Sequence, residues 1–192
     1  LSIPSNSVDF IGIGRTLNFL GSSDITGVVV AGTDNTIGNN IHCTNSVLYG
    51  KSAQVRGVGA VCIGNTTQVT NDRAIGIGDG VTVSAVDSVA IGTSALVSAT
   101  QAVGFGRLAT CSGSAGVSIG NAANVSASAS GGVCVGASTV VSQANGVALG
   151  NGAFVSGIGG TAVGFGATVT ATSAVQLGNG TNSVVQSLKF RS

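Results

Sequence analysis

His42 is the only histidine among 192 residues, so proton transfer tuned to neutral pH would start there. An imidazole can act as a general base in acyl transfer, but it needs a substrate cleft and a second catalytic group within reach. The residues leading to it, Ile37–His42 (IGNNIH), supply neither, and His42 reads as an outward polar side chain. Asp24, Asp34, Asp72, Asp79 and Asp87 raise the question of calcium, which wants several converging oxygen ligands. Asp72, Asp79 and Asp87 keep no common phase, and the repeat-calcium pattern G-G-x-G-x-D is absent, so these carboxylates read as turn residues. Gly104–Gly106 and Gly157–Gly160 are not phosphate loops, because no helix follows them. The sequons at Asn65, Asn124 and Asn179 would be used only in a secretory pathway. No catalytic, metal or cofactor-binding residue is assigned, no cofactor is expected, and no ligand-binding residue is identified.

The elements that hold these residues are announced by composition. Gly accounts for 32 residues, Pro for 1, and charged residues for only 7%. Without a triplet period this is not collagen, and 43% hydrophobic content argues against disorder. Mean hydropathy is +0.53, yet apolar residues come in bursts of two to four, far short of the ~18 that span a bilayer. The segment is therefore not expected to insert into a membrane. It shows no signal peptide and, with Leu1 first, looks like a piece of a larger protein. Net charge is +1, from seven scattered basic residues against six Asp. Nucleic-acid binding needs a basic patch, and none is present.

The chain repeats. Ser88–Gly92 (SVAIG), Gly132–Gly136 (GVCVG) and Gly146–Gly150 (GVALG) share a V-x-[IVLF]-G pattern. The anchoring glycines are Gly50, Gly64, Gly78, Gly92, Gly106, Gly120, Gly136, Gly150, Gly166 and Gly178, mostly at a step of 14, with steps of 16, 16 and 12 interposed. Val61/Ile63, Ile75/Ile77, Val89/Ile91, Val103/Phe105 and Val117/Ile119 keep step three and one before their glycines. Each repeat carries two short alternating strands, V-x-I and A-x-V. Fourteen residues are too few for strand, helix and return, but suit one coil of a two-sided parallel β-roll. Gly14, Gly32 and Gly50 are 18 apart, so the first coils are wider, either triangular or two-sided with an insertion. The expected division is 1–44 for wider coils or a cap, 45–183 for the 14-residue roll, and 184–192 for an exit segment.

Alternation predicts that Val61, Ile63, Ile75, Ile77, Val89, Ile91, Val103, Phe105, Val117 and Ile119 form the core row. Ala90, Ser118, Ala148 and Ala162 should then face outward. Tyr49, Phe105 and Phe165 precede anchor glycines and are expected in the core, with Phe154 outward. Ile91→Asp should be severe and Ala90→Ser mild. A roll this thin is marginal alone, and small outer residues invite symmetric association.

The motif S-V-A-I-G at 14-residue spacing, with A-x-V between, resembles the YadA-like head of trimeric autotransporter adhesins over about Asn45–Ser183. The resemblance implies a left-handed parallel β-roll, three chains side by side, and attachment to host matrix or cells; the number three rests on it alone. Two departures bear on the owner. Val175–Arg191 (VQLGNGTNSVVQSLKFR) looks like the end of repeats in viral fibre proteins. Cys43, Cys62, Cys111 and Cys134 are unusual in exported bacterial heads and suit assembly in reducing cytosol. Cys62 and Cys134 share a coil position but lie five coils apart, ~24 Å at the strand spacing, beyond a disulfide.

The expectation is an all-β, homotrimeric β-solenoid, non-enzymatic, working as an attachment fibre domain on a virion surface. It would bind a host receptor, glycan or protein, or space a binder from the particle. A bacterial adhesin head, a pure spacer and an acyltransferase like those with hexapeptide repeats are the alternatives. An ice-binding solenoid would need a regular Thr ladder, and Thr is out of phase.

Overall fold

Val, Ile and Thr at alternate positions favour extended backbone, and among the described residues short runs of them make 23 strands of two to nine residues with no helix between them. The computed structural model describes residues 11–19, 25–38 and 43–179. Among these, every strand pairing is parallel. On the first face, Val89–Ile91 pairs with Ile75–Ile77 below and Val103–Phe105 above, one repeat away in each direction. On the second, Leu96–Val97 pairs with Thr82–Val83 and Thr110–Cys111 at the same offset. The chain is a parallel β-solenoid whose coil length is the repeat length of the sequence. Twelve strands stack on the first face, from Ile11–Phe19 to Val175–Leu177. At ~4.8 Å per strand they make a rod about 53 Å long.

Near the start of the chain the offset is 18, with Gly14 opposite Gly32 and Gly32 opposite Gly50. These coils have a third side, where Ile25–Thr26 pairs with Cys43–Thr44. The third ladder ends at the next turn, whose Gly59 N–H donates to the Thr44 carbonyl. One later coil is wider, with Val117 paired to Val133. Its two extra residues, Ala127 and Ser128, bulge out exposed at a corner and leave both faces in register.

Coils close on a backbone that most residues avoid. Asp87 and Ser94 turn the corners of one coil at φ 56° and 55°, a left-handed conformation held by ladder bonds to Asp72 and Asp79 carbonyls. At Gly92 (φ 133°) a Cβ would lie 2.4 Å from the Gly106 oxygen of the next coil, so glycine stacks on glycine. This column corrects one expected anchor. Leu149 pairs with Val163 and Val163 with Leu177, so the column runs Gly150, Gly164, Gly178 at even intervals. Gly166 sits at the corner two residues later, at φ 64°, where Gly152 also turns at 68°. A Gly at both places had disguised the phase.

The core row is the second correction. Val61, Ile63, Ile75, Ile77, Val89, Ile91, Val103 and Val117 are only partly buried, while Phe105 and Ile119 are exposed. The residue between each pair points inward: Cys62, Ala90, Ser118, Cys134, Ala148 and Ala162 are fully buried, and Gly76 and Gly104 occupy the same column. Facing them are Val69, Val83, Val97, Cys111, Val125, Val141 and Val155. The reason is thickness. A Cβ on Gly104 would come 2.7 Å from Val97 Cγ2, and one on Gly76 would come 2.7 Å from Val69 Cγ2. The valines of the second face already fill the interior, so the first face can contribute only small side chains.

Candidate functional site

With the small residues turned in, the large ones form the outer surface of the first face. Two outward columns run its length. One passes through Val47, Val61, Ile75, Val89, Val103 and Val117, the other through Tyr49, Ile63, Ile77, Ile91, Phe105 and Ile119. Across all twelve rows, Thr161 and the Tyr49 hydroxyl are the only polar groups, and no charge appears. A strip ~53 Å long and ~10 Å wide presents on the order of 500 Å², near the top of the range for patches on monomers. Tyr49 and Phe105, expected in the core, stand out from this strip at 61% and 51% exposure. Phe165 is not on it; it occupies a corner and is 71% exposed.

The second face differs. Its outward residues include Thr82, Leu96, Thr110, Asn124, Val140, Phe154 and Thr168. Beside them Thr70, Ser84, Ser98, Ser112, Ser126, Ser142 and Ser156 follow successive ladder bonds, each N–H donating to the coil above. A hydroxyl column therefore exists in phase, but mostly of Ser. Phe154 is half-buried and faces outward between Val140 and Thr168. From residue 108 through residue 179 the chain has no charged side chain, so every described charge lies at or before Arg107.

The described aspartates are at corners. Asp72 accepts from the Val58 N–H at 2.9 Å, and Asp79 from Asn65 Nδ2 at 3.0 Å. Asp87 forms an exposed pair with Arg73, Nε to Oδ1 at 2.5 Å and Nη2 to Oδ2 at 3.0 Å; the guanidinium holds its carboxyl below the ordinary value. Asp34 and Arg15, with Thr16 and Thr33, line a cleft of about 260 Å³. Among the described residues no group of three or more His, Cys, Asp or Glu converges. His42 and Asp24 lie outside the described residues. Asn65 is exposed and Asn124 half-buried.

The four cysteines are free and buried. Burial raises all four thiols, Cys62 to about 12 and Cys111 to about 11. Each therefore stays protonated and behaves as a small core hydrophobe.

No family profile matches the chain, and no curated protein matches it. A solved structure does. The chain is similar to the collagen-binding domain of the Yersinia adhesin YadA, at 22% identity over 68% of this chain and 72% of that one, with a TM-score of 0.50. The fold is that of a YadA-like head repeat.

The alternation of apolar residues could not set the phase of V-x-I, because both sides of that strand are apolar or small. Size variation carries the missing signal. The column through Ile91 admits Tyr49 and Phe105, whereas the column through Ala90 between residues 62 and 162 admits nothing larger than Cys. An interior of fixed thickness imposes the second restriction and forbids the first.

Proposed function

We propose that the chain is a non-enzymatic attachment domain, a left-handed roll that works as a parallel homotrimer and projects from a virion as part of a fibre. The observation that carries this reading is the charge-free Val/Ile strip along all twelve coils of the first face. A strip of this length on a soluble rod calls for a partner of equal length and pitch, and another copy of the chain has both. The number three follows from the resemblance to trimeric adhesin heads. Association through the first face leaves the second face and the corners for a ligand, and three copies on one axis give avidity to weak sites. The four buried free thiols match assembly in a reducing compartment, which favours a viral fibre. The likeness to a collagen-binding bacterial domain favours the alternative, a bacterial adhesin head.

Light scattering at micromolar concentration should give three times the 18.3 kDa mass of the chain; a single-chain mass removes the trimer. Saturable binding of that trimer to immobilised collagen or to a glycan on an array supports attachment. Binding to neither, nor to host cells, leaves only a spacer.

A further inference from the structure

A repetitive interface has a problem of register. Along the middle of the strip, rows such as Val61/Ile63, Ile75/Ile77, Val89/Ile91 and Val117/Ile119 differ by little more than a methylene. Two copies can therefore slide by one coil, about 4.8 Å, and place nearly identical rows opposite each other. Such a slip removes contact only at the ends, one row of the twelve. The repeats that build the surface do not by themselves choose the aligned state.

We propose that Phe105 is the axial register key between copies of this chain; the proposal rests on the trimer reading above. Phe105 is 51% exposed on the strip, and its strand partners are Ile91 and Ile119. In an aligned assembly all Phe105 rings meet at one level, where aromatic edges and faces can pack on each other. After a slip in either direction the ring–ring contact is lost, and each ring faces an isoleucine row instead, so that unlike side chains oppose each other at two levels. Tyr49, the other large side chain on the strip, cannot do this alone. Its neighbours are Ala31 and Ile63, so in a one-coil slip the ring of one copy meets an isoleucine but that of the other falls into a gap, and only half of the misfit remains. Phe105 has no such gap on either side. It lies in the seventh of the twelve rows, so a copy displaced either way must pass it.

The test uses disulfides between copies as a ruler in the full chain. Chains carrying Ile91→Cys are co-expressed with chains carrying Ile77→Cys, one coil lower, and the products are oxidised and counted by mass spectrometry. The native thiols stay out of the reaction because they are buried. In the parent background, links between like positions should exceed 77-to-91 links by about tenfold or more, the scale of the lost ring–ring contacts and the misfit at two levels. In a Phe105→Ile background the assembly should keep its mass and the ratio should fall to about threefold or less. An unchanged ratio in a Phe105→Ile assembly of parental mass overturns the register key alone. Frequent 77-to-91 links in the parent do the same. A monomeric parent overturns the trimer reading and the key together.

Discussion

Ala90 and Ile91 are adjacent, and the structure assigns them opposite fates. Ala90 is fully buried, with Gly76 and Gly104 as its strand partners and the Val83 and Val97 side chains filling the space around those glycines. Ala90→Asp would place a carboxylate among these groups with no donor to meet it. An uncompensated buried charge costs ~3–5 kcal/mol, and at ~2–4 °C per kcal/mol for a chain of this size the melting temperature should fall by about 10 °C or more. The carboxyl escapes partly by staying protonated, so its folded pKa rises above the unfolded ~3.9. Overpacking and the unpaired carboxyl destabilise at every pH; the contribution of the charge should be small near pH 4 and grow as pH rises through that value. Ile91→Asp puts its charge outside the roll, on the apolar strip. It should keep the β circular dichroism of a folded coil but sediment and scatter as a single chain. Melting curves at pH 4 and 7, with light scattering, separate the two. If Ile91→Asp unfolded the roll while Ala90→Asp melted like the parent, the inward column would be the wrong one and the apolar strip would not exist.

The remaining expectations use the glycines and the thiols. Gly92→Ala should be severely destabilising, since its Cβ would sit 2.4 Å from a backbone oxygen at φ 133°; Gly152→Ala, at φ 68° with nothing within 4 Å, should cost only ~1–2 kcal/mol for the left-handed backbone. Equal melting temperatures for these two variants would contradict the glycine stacking. All four cysteines should resist alkylation in the folded rod at pH 8 and react in denaturant without reductant; a protected pair in denaturant would show a disulfide the structure does not contain. Because burial raises the folded thiol pKa values, the unfolded chain ionises first. Denaturation midpoints should therefore hold below the ordinary thiol value of ~8.5 and decline as pH rises from there towards the folded values.

The repeat length was legible because glycine column and strand keep the same 14-residue step, and a coil of that length leaves room for nothing but two strands. The wide coils were legible for the same reason: Gly14, Gly32 and Gly50 stand 18 apart and pair at that offset. Their third side was legible only as one of two alternatives, a triangular coil or a two-sided one with an insertion, and the pairing of Ile25–Thr26 with Cys43–Thr44 decides for the former. Which side of V-x-I faces in was misread because apolar alternation assumes that one face meets water. Here the strand meets a thin interior on one side and an apolar strip on the other. The shift from Gly164 to Gly166 was missed because the T-A-V-G-F-G segment offers two glycines where other coils offer one. The hydroxyl column on the second face was overlooked because Ser, unlike Thr, gives no strand signal.

The inverted phase changes what holds the rod together. A coil such as Ser88–Gln101 buries Ser88, Ala90, Ala95 and Val97, of which only Val97 is large. Its other large apolar residues, Val89, Ile91 and Leu96, all point outward. Much of the hydrophobic free energy written into the repeat is therefore not realised by folding one chain. On the first face it is realised only when Val89 and Ile91 are covered along the whole length of the strip. Hydrogen bonds between coils fix the shape of each roll, but they exchange for bonds to water and contribute modestly. The two tasks fall to separate residues of the same strand: the small inward column lets the coil close, and the large outward columns leave an apolar strip that the closed coil does not cover itself.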